Sequence, residues 1–220
     1  MRGHVLPKVL IAALLTGSLM LSAAVSADTA VERVGWPDVS FDQAVPTLES
    51  VLGYAPGERI TSVDQAHIYL RALAAAMPER TRMVEYARSW EGRPLVYFLV
   101  GTEETMARVD EIKAGMQALA DPAELSDERV ESLIDDLPAV VWLAYGVHGN
   151  EISSTDAGLQ TAYHMLAARG APFDTIRENT LVAIDPSQNP DGRERFLNHF
   201  RETYGIAPST SAIAAERREP

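Results

Sequence analysis

The order of apolar and polar residues along the chain predicts strands separated by helices. Two runs rich in valine, tyrosine and phenylalanine, residues 82–89 and 94–100, flank a Glu-Gly dipeptide, and this pattern predicts an antiparallel hairpin. Two further apolar runs, residues 139–145 and 180–184, have the length of strands covered on both faces. Apolar side chains at helical spacing precede and separate these runs. The pattern therefore predicts an α/β fold, a three-layer α/β/α domain with a mixed, mostly parallel sheet.

The helix before the hairpin has a clear start signal. Ser62 and Gln65 form a Ser-x-x-Gln capping box, in which each side chain bonds the backbone of the other residue. Apolar residues at helical spacing follow. Pro78 interrupts them, so the helix is expected to run to Met77.

The apolar run 139–145 leads into a short turn that contains two glycines. Gly146 and Gly149 let the backbone turn sharply and come close to its neighbours. A helix is expected to follow, capped by Ser153 or Ser154. In open α/β sheets, ligands bind at the carboxyl ends of the strands. This turn is therefore a candidate position for functional side chains.

His148 and Glu151, three residues apart in this turn, are candidate metal ligands. Zinc accepts imidazole nitrogen and carboxylate oxygen, and two histidines with one glutamate and an open water position form a known catalytic arrangement. The alternative is a capping carboxylate beside a structural histidine. A second His-x-x-Glu pair, His199 and Glu202, has no strand or glycine turn before it, and a solvated helix face explains it. Because the chain contains no cysteine, any metal must be held by histidine and carboxylate.

Three segments resemble the carboxypeptidase A-like zinc metallocarboxypeptidases in the right order and spacing. They are Gly-Val-His-Gly-Asn-Glu at 146–151, the strand and Asn-Pro-Asp-Gly turn at 180–192, and Ser-Trp-Glu-Gly-Arg-Pro-Leu-Val at 89–96. By this resemblance His148 and Glu151 are the first two zinc ligands. The third ligand, a histidine, and the general-base glutamate are expected beyond residue 220. The resemblance thus implies the N-terminal portion of a catalytic domain whose fold is incomplete at the C-terminus.

The same resemblance implies an activity. The expected function is zinc-dependent hydrolysis of C-terminal peptide bonds by an activated water, with a peptide as substrate and one zinc ion as cofactor. The chain by itself is expected to be inactive, and none of its residues is assigned a catalytic role. After the Asn-Pro-Asp-Gly turn, Arg193, Arg195 and Arg201 are candidates to face the cleft, although none aligns with the arginine that polarises the substrate carbonyl in the family.

Two other functions stay open. A related deacylase branch also carries His-Gly-Asn-Glu, so the chain is alternatively a zinc-dependent deacylase or amidase of small acylated amino acids or cell-wall peptides. The second alternative is a non-catalytic binding protein on a degenerate peptidase fold.

The N-terminus has the pattern of a secretory signal peptide. Arg2 and Lys8 form a positive region, an apolar stretch covers residues 9–24, and small residues mark a cleavage site after Ala27. Residues 1–27 are therefore expected to be a signal peptide. Its removal implies an exported protein, periplasmic or secreted, without stable membrane insertion.

The rest of the chain divides into two parts. Residues 28–60, with scattered prolines and glycines, are expected to form an extended N-terminal arm. Residues 61–220 are expected to form the N-terminal part of the catalytic domain. The net charge of −12 argues against nucleic acid as a partner.

Overall fold

The computed structural model describes residues 39–204, with side chains through residue 202. The predicted signal peptide, the first part of the predicted arm and residues 205–220 lie outside the described residues. The helices are α1 (Leu48–Leu52), α2 (Val63–Ala76), α3 (Glu103–Ala107), α4 (Val109–Ala120), α5 (Asp127–Asp136), α6 (Ser153–Ala167), α7 (Phe173–Asn179) and α8 (Pro190–Tyr204). The strands are β1 (Ser40–Phe41), β2 (Thr81–Arg88), β3 (Pro94–Val100), β4 (Ala139–Ala144), β5 (Ala168–Arg169) and β6 (Thr180–Asp185).

The main sheet is mixed, with the order β2-β3-β6-β4. The predicted hairpin is confirmed as the antiparallel pair β2–β3, and β3 pairs antiparallel with β6. Only β4 and β6 run parallel, from the pair Ala139–Thr180 to the pair Ala144–Asp185. The predicted mixed α/β sheet is therefore confirmed. Among the described strands, fewer pairs are parallel than the expected mostly parallel sheet requires, because the hairpin supplies two of the four strands.

Helices cover both faces of this sheet. On one face, Leu99 of β3 and Leu181 and Ala183 of β6 pack against side chains of α3 and α4, including Met106 and Ile112. On the other face, α2 and α6 lie against the hairpin and β6. Side chains of β6 are consequently buried on both faces, as the sequence pattern predicts for residues 180–184.

Strand β4 differs from its prediction. The sequence pattern indicates a strand covered on both faces, but Val140, Val141 and Trp142 are all exposed, Trp142 to 50%. The reason is position, because β4 is the edge strand and pairs only with β6 among the described strands. An apolar run has the same appearance in an edge strand as in a buried strand, so the run alone does not locate the strand in the sheet.

The described part of the predicted arm packs on the helical layer. Strand β1 pairs with β5, and α1 contacts α2. Val45, Leu48 and Tyr54 are buried there. The segment contains the short helix α1 in addition to extended backbone. The capping box of Ser62 and Gln65 is present at the start of α2, as predicted. No helix in residues 39–204 is long and apolar enough to cross a membrane.

Candidate metal centre

Residues 146–152, called here the His148 loop, connect the carboxyl end of β4 to α6. Gly146 has φ of +65°, and a Cβ atom on it would lie 3.1 Å from Cα of Ser187. The Glu151 N–H donates to the His148 carbonyl oxygen at 3.2 Å, which closes a tight turn. The side chains of His148 and Glu151 are both exposed. The structure thus brings the two predicted ligands into one exposed turn at the carboxyl edge of the sheet.

Tyr145, which directly precedes the loop, and Gly146, its first residue, bond the end of β6 and the segment that follows it. The Tyr145 N–H donates to the Asp185 carbonyl, and the Tyr145 carbonyl accepts from the Gln188 N–H, both at 2.9 Å. The Gly146 carbonyl accepts from the Asn189 N–H at 2.9 Å. These bonds continue the β4–β6 pairing past the ends of the strands. They place the Asn-Pro-Asp-Gly segment beside the His148 loop. The separate turn expected for this segment is wrong, because Pro190, Asp191 and Gly192 form the first turn of α8.

The loop and the Asn-Pro-Asp-Gly turn touch through their backbones. A Cβ atom on Gly149 would lie 2.0 Å from the carbonyl carbon of Gly192 and 2.2 Å from the Arg193 nitrogen. Only glycine permits this approach. On the other side of the turn, the Gly192 N–H donates to Oδ1 of Asn189 at 2.9 Å. Gly149 lies between the two candidate ligands in the sequence. Its close contact with Gly192 therefore sets how near the loop approaches the Asn-Pro-Asp-Gly turn.

The same turn holds the tip of the hairpin. Oδ1 of Asp191 accepts from the Ser89 hydroxyl at 2.7 Å and from Nη1 of Arg93 at 2.6 Å. Its Oδ2 accepts from the Glu91 N–H at 3.1 Å. Burial acts to raise the pKa of Asp191, but these hydrogen bonds outweigh it and hold the pKa below its ordinary value. Asp191 thus joins the hairpin tip to the turn behind the His148 loop.

A second carboxylate lies at the end of β6. Asp185 is fully buried and accepts from the Tyr86 hydroxyl at 2.6 Å and from the Ser187 N–H at 3.2 Å. Burial raises the pKa of the Asp185 carboxyl, while both hydrogen bonds act in the opposite direction. Asp185 was not among the residues expected at the site. Its position as the last residue of a buried strand was the available signal.

The chain matches the zinc carboxypeptidase family over residues 66–210, well over half of its length. The chain belongs to the zinc carboxypeptidase family. No curated protein matches it. Among solved structures, it resembles carboxypeptidase A from Helicoverpa armigera, with 19% identity, 68% of this chain covered and a TM-score of 0.45.

Two structures of thrombin-activatable fibrinolysis inhibitor match this chain with similar identity, coverage and TM-score. One structure of it has 14% identity, 71% of this chain covered and a TM-score of 0.47. The bovine protein in complex with tick carboxypeptidase inhibitor has 14% identity, 64% covered and a TM-score of 0.41. The chain spans 32% of the Helicoverpa enzyme, 32% of the first inhibitor structure and 34% of the bovine one. It thus covers about a third of each of the structures it matches.

In this zinc carboxypeptidase-family chain, the donor atoms of His148 and Glu151 suit zinc, and neither side chain forms a hydrogen bond or ion pair within residues 39–204. In that range, no three histidine, aspartate or glutamate side chains are grouped to hold a metal. The described part therefore fits zinc as a two-donor site that needs a further donor.

The expected cap of α6 is wrong. The N-cap position is Ile152, which has no side-chain capping bond. The Ser154 hydroxyl instead accepts from the Gly146 N–H at 2.8 Å. Ser154 thereby ties the first residue of the His148 loop to the helix that follows it.

The three arginines after the turn lie in different environments. Arg193 is 2% exposed and lies behind the loop, so the expectation that it faces a cleft is wrong. Arg195 pairs with Glu91 of the hairpin tip at 2.6 Å. Arg201 is exposed on α8. His199 and Glu202, the second His-x-x-Glu pair, also lie on α8, but only Glu202 is exposed and His199 is half-buried, so the solvated helix face expected for the pair holds for Glu202 alone.

Proposed function

We propose that this chain carries part of the active site of an exported zinc-dependent carboxypeptidase, with His148 and Glu151 as zinc ligands. The observation that supports this proposal best is the position of the two side chains. Both are exposed in one turn at the carboxyl edge of the sheet, in a chain of the zinc carboxypeptidase family. Such an edge is where α/β folds bind their ligands.

The residues around the loop would preorganise the pair. The backbone of the His148 loop is hydrogen-bonded at Gly146 to Asn189 and to Ser154 of α6, and at Gly149 it packs against Gly192, so the two ligands would be held on a rigid support rather than on a free loop. Zinc bound there would supply Lewis-acid polarisation of a peptide carbonyl and would lower the pKa of a bound water to about 7. The exposure of both side chains leaves room for a substrate beside them.

The third ligand is proposed to come from outside residues 39–204. With only the two donors found in residues 39–204, the chain would bind zinc weakly and turn over little substrate, because catalytic zinc sites use three protein ligands. The signal peptide at 1–27, the arm at 28–60 and the catalytic portion at 61–220 belong to the same proposal. They rest on the sequence pattern.

An activity panel tests the substrate assignment. The purified chain, with added zinc, would be assayed on peptides with free C-termini, on the same peptides amidated at the C-terminus, and on N-acyl amino acids. We expect little turnover, with any zinc-dependent hydrolysis confined to free C-termini and abolished by His148→Ala. Preferential cleavage of N-acyl amino acids would contradict the peptidase assignment and favour a deacylase. Rapid turnover of free C-termini would contradict the expected inactivity.

A further inference from the structure

Arg193 is the largest of the fully buried side chains in the described part of the chain. Its guanidinium joins three segments. Nε donates to the Thr61 carbonyl at 2.8 Å, Nη1 to the Ile152 carbonyl at 3.1 Å, and Nη2 to Oδ2 of Asp156 at 2.8 Å. Asp156 also accepts a hydrogen bond from the Thr61 hydroxyl. One side chain thus connects the start of α2, the end of the His148 loop and the first turn of α6.

Residue 193 contacts the His148 loop at two points. Its side chain bonds the carbonyl of Ile152, the residue directly after Glu151. Its backbone nitrogen lies close enough to Gly149 that a Cβ atom there would come within 2.2 Å. Gly149 directly follows His148. The residues beside both candidate ligands are therefore held by the same residue.

Helix stability does not explain this placement. A cation at the N-terminus of a helix is opposed by the helix dipole, and a buried cation is costly unless its donors are satisfied. The C-terminal end of α6 shows the favourable arrangement, because Arg177 and Arg169 donate to the carbonyls of Ala168 and Leu166 there. Arg193 lies at the opposite end, where its charge is compensated by Asp156.

We propose that Arg193 is a positioning residue for the candidate ligand pair. It holds the His148 loop in place through its contacts with Ile152 and Gly149. The guanidinium fork supplies donors in three fixed directions, which matches the three acceptors. Lysine carries a single nitrogen and cannot reach the same three acceptors. That the position of the loop matters for zinc binding rests on the proposed function. That Arg193 makes the loop rigid does not depend on it.

The test compares Arg193→Lys with Arg177→Lys. Arg177 is a matched control because it is 6% exposed, pairs with Asp174, donates to backbone carbonyls and lies at the other end of α6. Hydrogen exchange of amides 146–152 would be measured in the zinc-free chain, and the zinc Kd by chelator competition. We expect Arg193→Lys alone to accelerate exchange in the loop by about tenfold, as for the loss of one hydrogen bond. We also expect it to raise the zinc Kd by about tenfold.

The two readouts separate the inference from the proposed function. Loop exchange that is the same in both variants would overturn the positioning role. Accelerated exchange without zinc binding by the wild-type chain would support the positioning role and contradict the zinc site. If Arg193→Lys does not fold, Asp156→Asn provides a second comparison, because loss of the carboxylate charge weakens the ion pair that orients the Arg193 guanidinium towards the Ile152 carbonyl. Unchanged loop exchange in that variant would likewise overturn the inference.

Discussion

The contact between Gly149 and Gly192 makes one substitution especially informative. In Gly149→Ala, the new Cβ atom would lie 2.0 Å from the carbonyl carbon of Gly192 and 2.4 Å from its oxygen. Ordinary contact begins at 3.4 Å, so the loop and the turn must separate by more than about 1 Å. The atoms that are too close belong to the backbone, which cannot rotate away as a side chain can. We expect a loss of about 2–3 kcal/mol of folding free energy.

Thermal unfolding and zinc affinity measure this effect. For a domain of this size, a loss of about 2–3 kcal/mol lowers Tm by about 5–10 °C. A displacement of about 1 Å at the ligands is expected to weaken zinc binding by tenfold or more, since such shifts at a site have large effects. The matched control is Gly115→Ala in α4, where the new methyl group meets only the flexible side chains of Leu137 and Leu133. The control should be neutral or stabilising, because alanine favours the helix.

Two outcomes would contradict the role of Gly149 as a close backbone contact. An unchanged Tm in Gly149→Ala would show that the loop and the turn separate without loss. A change in Tm equal to that of Gly115→Ala would show that the contact with Gly192 has no special role.

Two further predictions concern Asp191 and the buried Asp185. Asp191→Asn should cost about 1–3 kcal/mol at pH 7, because it removes charge-assisted hydrogen bonds from Ser89 and Arg93. The pKa of Asp191 is lowered in the fold, so its stabilisation is present above the unfolded-state value of 3.8 and is lost as the pH falls through the folded-state value. Urea unfolding at pH 7 and pH 3 should therefore show a smaller effect at pH 3, and equal effects would contradict the ion pairing. Tyr86→Phe should raise the pKa of Asp185 further, because the hydroxyl that is lost stabilises the carboxylate. An NMR titration of the Asp185 carboxyl carbon measures this pKa. A lowered pKa would contradict this account.

The features that sequence predicts well here are local. The hairpin, the capping box of Ser62 and Gln65 and the buried strand β6 depend on residues a few positions apart, and the structure confirms each of them. The turn of His148 and Glu151 is likewise set by neighbouring glycines. In these segments, the residues that determine the backbone conformation lie within a few positions of one another, so the sequence pattern alone predicts the structure.

The features that sequence misses depend on distant partners. The exposure of β4 follows from which strands lie beside it, and its apolar run does not contain that information. The Ser154 hydroxyl can accept either from the backbone of its own helix or from Gly146. In the structure it accepts from the Gly146 N–H. The burial of Arg193 arises from acceptors 132, 41 and 37 residues away in sequence. No local pattern distinguishes it from Arg195, which lies on the surface two residues later.

Equilibrium zinc binding is the direct test of whether His148 and Glu151 hold zinc. Zinc affinity would be measured for the wild-type chain, His148→Ala and Glu151→Ala, with His199→Ala and Glu202→Ala as controls from the second His-x-x-Glu pair. We expect either substitution in the His148 loop to weaken zinc binding by about 100-fold or more, while both controls bind zinc as the wild type does. Zinc binding that survives in His148→Ala and Glu151→Ala, or that depends on His199, would contradict this expectation.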